Sequence, residues 1–455
     1  MDILDLIVIG GGPAGYLAAQ RAAESGMKVL LFEKKKLGGV CLNEGCVPTK
    51  TLLNSAKIFD HAKNGQAYGV MAHDVTMDTK TVLQRKNKVI QMLVSGVGMT
   101  MKKNKIKIVY ERAEVIEKTK EGFLVEAGAE RYTSKYILAA PGSETLIPPI
   151  PGVAEALESG LAITSRELLE LEDLPGHLAV IGAGVIGLEM AAYCCTAGVR
   201  VTVVEMLDKV AGNMDARLSK ILQTELKKKG VSFLMGHKVT EVNSHGLVCE
   251  KDGETKFAEA DKILLSIGRK PVIEGCGLEH IGVAAEHGRV VTDQHLCTSV
   301  EGIYAAGDIN GKMMLAHTAY RESEVAVHHM LGIEDEINYQ TIPSVIYTFP
   351  EFAGIGETEE SAREKGLAVK TAELPMAYSG RYVAENADGN GLCRLIMDQE
   401  TGCLVGAHLL GPYVSEMIWG IAALIDQKVS VEELKKSVFP HPSVSEIIRE
   451  TIFKL

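Results

Sequence analysis

One glycine-rich turn occurs twice in this chain, each time between two apolar runs and each time followed at a fixed distance by a glutamate. Asp5-Leu6-Ile7-Val8-Ile9 runs into Gly10-Gly11-Gly12-Pro13-Ala14-Gly15, an Ala-rich helical stretch reaches about Ser25, and a strand pattern spans Lys28 to Glu33. Leu178 to Ile181 runs into Gly182-Ala183-Gly184-Val185-Ile186-Gly187, and after another helical stretch Arg200 to Glu205 closes the unit. From first glycine to glutamate the interval is 23 residues in both copies. Matched internal spacing constrains a fold far more than one glycine motif does. It calls for a strand–helix–strand unit with parallel strands, in duplicate, and therefore an α/β fold.

The glycines of such a unit have separate duties. Gly10 and Gly182 make the tight turn, Gly12 and Gly184 let a pyrophosphate approach the backbone, and Gly15 and Gly187 let helix and strand pack closely. The helix N-terminus offers unpaired N–H groups to the phosphates. Glu33 and Glu205 end their strands where a ribose hydroxyl needs an acceptor. The chain is thus expected to hold two dinucleotides. A carboxylate at Glu205 repels a 2′-phosphate, and no arginine follows it in Met206-Leu207-Asp208-Lys209, which favours NAD over NADP; Lys209 is the one cation nearby.

Just beyond the first unit lies Gly38-Gly39-Val40-Cys41-Leu42-Asn43-Glu44-Gly45-Cys46-Val47-Pro48-Thr49-Lys50. Two thiols so placed can open and close a disulfide. Five residues apart in a regular helix they would be separated by about 7.5 Å of axial rise, too far for an S–S bond. Cys41 is therefore expected in the glycine turn and Cys46 at the helix start, where Pro48 fits the first turn. A thiol at a helix N-terminus has its thiolate stabilised, so Cys46 is expected to be the more acidic. Lys50 falls one turn on, along the same face. The other cysteines, Cys194, Cys195, Cys249, Cys276, Cys297, Cys393 and Cys403, read as small buried hydrophobes. No His or Cys cluster has metal spacing.

Between the two units, Thr79 to Lys103 reads as one amphipathic helix, with Val82, Lys86, Val89, Ile90, Leu93, Val94, Val97 and Met101 along its inner side. Proline and glycine from Pro141 to Gly152 and the stretch Gly268 to Pro271 mark boundaries. Gly302-Ile303-Tyr304-Ala305-Ala306-Gly307-Asp308 reads as a buried strand ending in an acid, which is either a turn residue or an acceptor for sugar-like hydroxyls. A helix follows from about Ala316 to Leu331. From Pro343 the pattern becomes strands (Val345 to Thr348, Ala368 to Leu374, Leu392 to Asp398, Leu404 to Leu410) and then helices, an α+β composition with no phosphate loop. The expected division is 1–147, 148–270, 271–342 and 343–455. Near the end, His441-Pro442-Ser443-Val444-Ser445-Glu446 leaves two readings open. Glu446 is either the N3 partner of a capping box with Ser443 or the carboxylate that orients His441 as a general acid/base.

A net charge of −11 argues against a nucleic-acid partner. No run of about 18 apolar residues suggests a membrane span. A strand begins at once, with Asp2 and Asp5 in it, which speaks against a signal peptide and for a cytoplasmic location, or an organelle reached through a removed transit peptide.

These residues together resemble the flavin-dependent pyridine-nucleotide disulfide oxidoreductases, most closely the branch that oxidises dihydrolipoyl groups, in order along the whole chain. The resemblance implies two Rossmann-like FAD- and NAD-binding domains with a C-terminal dimerisation domain. Gly10, Gly12, Gly15, Glu33, Lys50, Gly142, Asp308 and Ala316 would serve FAD; Gly182, Gly184, Gly187, Glu205 and Gly268 would serve NAD. It further implies a homodimer in which His441, oriented by Glu446, serves the thiol pair of the other subunit. Cys41 would exchange with the substrate disulfide, Cys46 would lie over the flavin, and Lys50 would pair with Glu189. The stretch Met314-Leu315-Ala316-His317 would follow the flavin ring. The substrate would be a lipoyl group on another protein. The family's Ala-Thr-Gly appears here as Ala140-Pro141-Gly142, one hydroxyl short. A glutathione-reductase-like enzyme using NADPH, or a mainly structural subunit of a lipoyl complex, are the alternatives. Glu205 speaks against the first and the complete Cys41, Cys46, Lys50 and His441 set against the second.

Overall fold

The computed structural model describes residues 3–386 and 389–455, so Asp2 lies outside the described residues. Two compact units emerge: Met1–Thr51 with Gln84–Leu146 and Gly268–Ile337, and Leu52–Leu83 with Ile147–Ile267 and Asn338–Leu455.

The first unit is built on a seven-stranded sheet. Leu4–Ile9, Val29–Phe32 and Lys107–Val109 run parallel, and Glu130–Ala139 joins on the other side of Leu4–Ile9. Leu6, Ile7, Val8, Leu30 and Leu31 are sealed from solvent. Burial on both faces is why these strands read as unbroken apolar runs and not as alternation. Ala113–Thr119 and Gly122–Ala127 extend the sheet antiparallel from the start of Glu130–Ala139. Ile303–Ala305 lies parallel to the end of that same strand, pairing Ile303 with Ile137 and Ala305 with Ala139. Three turns therefore stand side by side at the carboxyl ends of parallel strands, after Ile9, Ala139 and Ala305. Open α/β sheets bind their ligands at such ends. Helix Ala316–Met330 packs on helix Pro13–Glu24, and Ser323 Oγ donates to the Ala14 carbonyl at 2.7 Å.

The second unit carries the repeat. Its parallel sheet has the order Ser232–Met235, Arg200–Glu205, His177–Ile181, Lys262–Leu265, Ala162–Ile163. Beyond Asn338 comes an antiparallel sheet in the order Ser344–Ile346, Glu351–Gly356, Leu404–Gly411, Leu392–Asp398, Val369–Pro375, with helices Val414–Asp426 and Glu446–Ile452 packed on it. One buried network ties the two sheets. Asp215 caps helix Ala216–Lys228 by accepting from Leu218 N–H at 3.0 Å and accepts from Arg394 at 2.7 Å, while Arg394 also donates to Glu359. The fold is thus α/β in both glycine units with an α+β C-terminal part.

Four details depart from the sequence reading. Cys41 lies in a short helix, Gly39–Glu44, not in a turn: Gly38 caps that helix at φ +96° and the break comes later, at Gly45. Leu93 is 40% exposed on helix Thr79–Lys103, while Lys86 and Met101 are buried. Eight residues from Met101 is about 80° around a helix, which takes Leu93 to the edge of the inner stripe. Cys195, Cys297 and Cys403 are only partly buried, whereas Cys194, Cys249, Cys276 and Cys393 are buried. The Cys195 and Cys403 thiols each donate to a carbonyl at 3.1 Å, so they behave as polar groups at a surface. Strand Glu351–Gly356 escapes the pattern because its two glycines look like a turn. At Gly354 a Cβ would stand 2.8 Å from the His408 ring, so the strand has glycine where a neighbouring ring fills the space.

Candidate active site

Each glycine unit ends in the same small piece of geometry. A Cβ on Gly15 would lie 1.7 Å from the Gly10 carbonyl, and one on Gly187 would lie 2.1 Å from the Gly182 carbonyl. Close packing of helix on turn excludes any side chain there. At Gly12 the nearest atom to such a Cβ is 3.8 Å away, and at Gly184 nothing lies within 4 Å. That open space sits at the N-terminus of a helix whose capping glycine offers no side-chain cap, which suits a pyrophosphate.

The two strand-end glutamates are bonded alike. Glu33 Oε2 accepts from Gly11 N–H at 2.8 Å and Oε1 from Lys35 N–H at 2.7 Å. Glu205 Oε2 accepts from Ala183 N–H at 2.7 Å and Oε1 from Leu207 N–H at 2.8 Å. Both carboxylates are locked by backbone donors and keep spare lone pairs for a ribose. Lys209 reaches the Met214 carbonyl at 3.1 Å. The residues present fit two dinucleotides.

The cysteine segment docks directly on the first turn. Gly38 N–H donates to the Gly11 carbonyl at 2.8 Å, and a Cβ on Gly39 (φ +58°) would stand 2.6 Å from Gly12 Cα. Gly39 is the point where the redox segment and the cofactor turn touch backbone to backbone. Cys46 opens helix Cys46–Lys63, which also carries Lys50. The Cys41 thiol is hydrogen-bonded to the Cys46 side chain. That bond first, and burial second, push the Cys41 pKa well up, against the pull of the Lys50 charge. Tyr16 and Tyr320 share a hydroxyl–hydroxyl bond, and the charge of the cysteine pair adds to the burial that raises both phenols.

Asp308 begins the turn after Ile303–Ala305. Its carboxylate accepts from Ser143 Oγ, which in turn accepts from Arg269 Nε at 2.7 Å, while Arg269 also donates to the Ser143 carbonyl at 2.7 Å. Ser143 follows Gly142 directly, so a hydroxyl two positions after Pro141 stands at this crossover. Gly142 itself sits at φ +83° with nothing within 4 Å of a Cβ. Ala316 opens the Ala316–Met330 helix, whose capping residue, Leu315, has no side-chain hydrogen bond. Gly268 takes φ +130° and accepts from Leu146 N–H at 3.0 Å.

In the second unit, Glu189 is buried and accepts from Tyr347 N–H at 2.9 Å. Glu446 is not the N3 partner of a capping box: it opens helix Glu446–Ile452, whose N-cap is Ser445 with no side-chain cap bond, yet its carboxylate bonds both His441 and Ser443. Oε1 accepts from His441 Nδ1 at 2.9 Å and Oε2 from Ser443 N–H at 2.9 Å. The Ser443 N–H first, and His441 second, hold the Glu446 pKa below the usual carboxylate value. With Nδ1 donating to a carboxylate, the proton-accepting nitrogen of His441 is Nε2. The structure thus groups Cys41, Cys46, Lys50, Gly142 and Asp308 in the first unit and Glu189, Glu205, His441 and Glu446 in the second. Ser143, Arg269, Tyr16 and Tyr320 carried no local sequence signal, since their partners lie 126 to 304 residues away.

Among the described residues, no group of three or more His, Cys, Asp or Glu is placed to hold a metal ion, and no helix is long and apolar enough to cross a membrane. Residues 4–323 match the family described as pyridine nucleotide-disulphide oxidoreductase, and residues 342–452 match its dimerisation domain. Dihydrolipoyl dehydrogenase of Mycoplasma pneumoniae is 36% identical, covering 99% of this chain and 98% of its own. That of Bacillus subtilis is 35% identical, covering 98% and 96%. Among solved structures, LpdA from Mycobacterium tuberculosis superposes with a TM-score of 0.89 at 27% identity over 99% of each chain.

Proposed function

The chain belongs to the pyridine nucleotide-disulphide oxidoreductase family, and on its site we propose that it oxidises protein-bound dihydrolipoamide to lipoamide and passes the electrons through FAD to NAD. The observation that carries the reading is the cysteine pair seated by Gly38 and Gly39 on the first dinucleotide turn. In this reading residues 1–147 and 271–342 bind FAD, 148–270 bind NAD, and 343–455 form the dimer contact.

His441 Nε2 takes a proton from one dihydrolipoyl thiol. The thiolate attacks Cys41 Sγ of the oxidised pair, the Cys41–Cys46 bond breaks, and Cys46 leaves with the electron pair. The second lipoyl sulfur then displaces Cys41, which closes the lipoyl disulfide and leaves Cys41 and Cys46 reduced. Position at a helix start makes Cys46 the better leaving group. FAD, which Gly10, Gly12, Gly15 and Asp308 would hold, would supply the two-electron reoxidation of the pair and the hydride for NAD. Glu446 keeps His441 in the tautomer the first step needs, and Glu205 admits a free ribose 2′-hydroxyl. The chain acts as a homodimer in which His441 serves the partner subunit's cysteine pair, in the cytoplasm, on a lipoyl group carried by another protein. Support comes from the dimerisation-domain match and from relatives named dihydrolipoyl dehydrogenase.

Anaerobic addition of one equivalent of dihydrolipoamide to the flavin-loaded protein tests this. A long-wavelength absorbance band should appear and NAD should discharge it. No band with dihydrolipoamide, together with no NADH formed, would remove the proposed activity.

A further inference from the structure

Glu322 has no exposed surface, lies in the second turn of helix Ala316–Met330, and is taken up by the Asp308 turn. Its Oε2 accepts from Gly307 N–H at 2.5 Å and its Oε1 from Asn310 Nδ2 at 2.8 Å. Those two donors bracket Asp308. Asn310 is 1% exposed and uses its own oxygen to accept from Lys312 N–H at 3.0 Å. Lys312 in turn donates to the carbonyls of Thr292 and Asp293 at 3.1 Å each. Gly307 takes φ +80° and ψ −155°, a conformation open to glycine, which turns the chain abruptly out of Ile303–Ala305. A Cβ there would meet Ala14 at 3.2 Å, so helix Pro13–Glu24 closes the turn from the other side.

A buried carboxylate is costly unless its lone pairs are bonded, and here both oxygens are spent on one four-residue turn. The result is a rigid frame around the Asp308 carboxylate, which accepts from Ser143 Oγ, a hydroxyl itself held by Arg269. We propose that Glu322 is a positioning residue for flavin retention: it clamps the Gly307–Asn310 turn so that Asp308 meets the hydroxyl-bearing chain of the flavin at a fixed angle. The inference rests on the reading of Asp308 as a flavin anchor.

The test is FAD affinity, measured by fluorescence on apoprotein stripped of flavin and refilled, and not turnover. Glu322→Ala should raise the FAD Kd by about 10–100-fold, the cost of leaving two buried donors unpaired beside the anchor. Glu322→Gln keeps an acceptor for Gly307 N–H and should fall between. Should Glu322→Ala not fold, Asn310→Ala removes one clamp bond without emptying the carboxylate site and should weaken FAD by about 3–10-fold. A double-mutant cycle with Asp308→Ala separates a clamp from a merely structural role. The clamp predicts that Glu322→Gln or Asn310→Ala adds nothing once Asp308 is gone. Additive losses overturn the clamp while leaving Asp308 as an anchor, as does wild-type affinity in both Glu322→Gln and Asn310→Ala. Wild-type affinity in Asp308→Ala alone overturns the anchor and the clamp with it.

Discussion

Glu446 binds His441 Nδ1 with one carboxylate oxygen and the Ser443 N–H, just ahead of its own helix, with the other, each at 2.9 Å. The carboxylate does not cap the helix, whose N-cap is Ser445, but it ties the loop ahead of the helix and the imidazole to one point, and on the proposed reading that sets the angle at which the imidazole is held.

His441→Ala should therefore lower dihydrolipoamide turnover by about 10²–10⁴-fold, the usual worth of an acid/base group. Steady-state NADH formation measures it. Near-normal turnover would reduce His441 to a surface residue.

Glu446→Gln should act more mildly than His441→Ala. The lowered Glu446 pKa means its contribution is fully present above the ordinary carboxylate value of 4.5 and fades only as pH falls through the lower folded value. The carboxylate is thus charged throughout the working range. Replacing it with an amide removes the anionic acceptor that orients the imidazole, so kcat/KM for dihydrolipoamide should fall by about 10-fold with flavin content unchanged. Wild-type kcat/KM contradicts the assignment.

Cys46→Ser and Cys41→Ser should each abolish NAD-linked oxidation of dihydrolipoamide while FAD stays bound, since neither residue builds the glycine turn. Mixing dissociated Cys46→Ser and His441→Ala proteins should restore about one quarter of wild-type activity, because half the dimers are then hybrids with one intact site of two. A site contained within one chain would show no recovery on mixing.

NADH should outcompete NADPH by about 10²-fold or more in kcat/KM, from the like-charge contact of a 2′-phosphate with Glu205. Both oxygens of Glu205 are held by Ala183 and Leu207 N–H groups, so the carboxylate has little freedom to swing aside. Equal rates with the two nucleotides would refute this.

Gly15→Ala should yield protein that no longer binds FAD, since the added methyl would stand 1.7 Å from the Gly10 carbonyl. Absorbance of the purified protein near the flavin bands is sufficient. Full flavin content would mean that the helix is able to shift away at small cost.

Local chemistry made the two turns legible. Gly10, Gly12, Gly15 and their counterparts act through the backbone within a few residues, so sequence alone locates them and their glutamates. The cysteine segment was half legible: the helix start at Cys46 follows from Pro48 and spacing, but the helix holding Cys41 depends on Gly39 resting against Gly12. Ser143, Arg269, Asn310 and Glu322 were silent. Each meets Asp308 or its turn only after Ile303–Ala305 has paired with Glu130–Ala139, and no local pattern announces that pairing.

The first compact unit, which on the proposed reading binds the flavin, is stitched from Met1–Thr51, Gln84–Leu146 and Gly268–Ile337. On a ribosome those pieces emerge far apart in time. The second glycine unit, Ile147–Ile267, is complete before Asp308 and Glu322 have been made. A nascent chain ending at Ile267 carries Cys41, Cys46 and the first glycine turn but not Asp308 or Glu322. On the proposed reading, then, the last of the residues that hold the flavin are made well after the thiol pair they would bring it to.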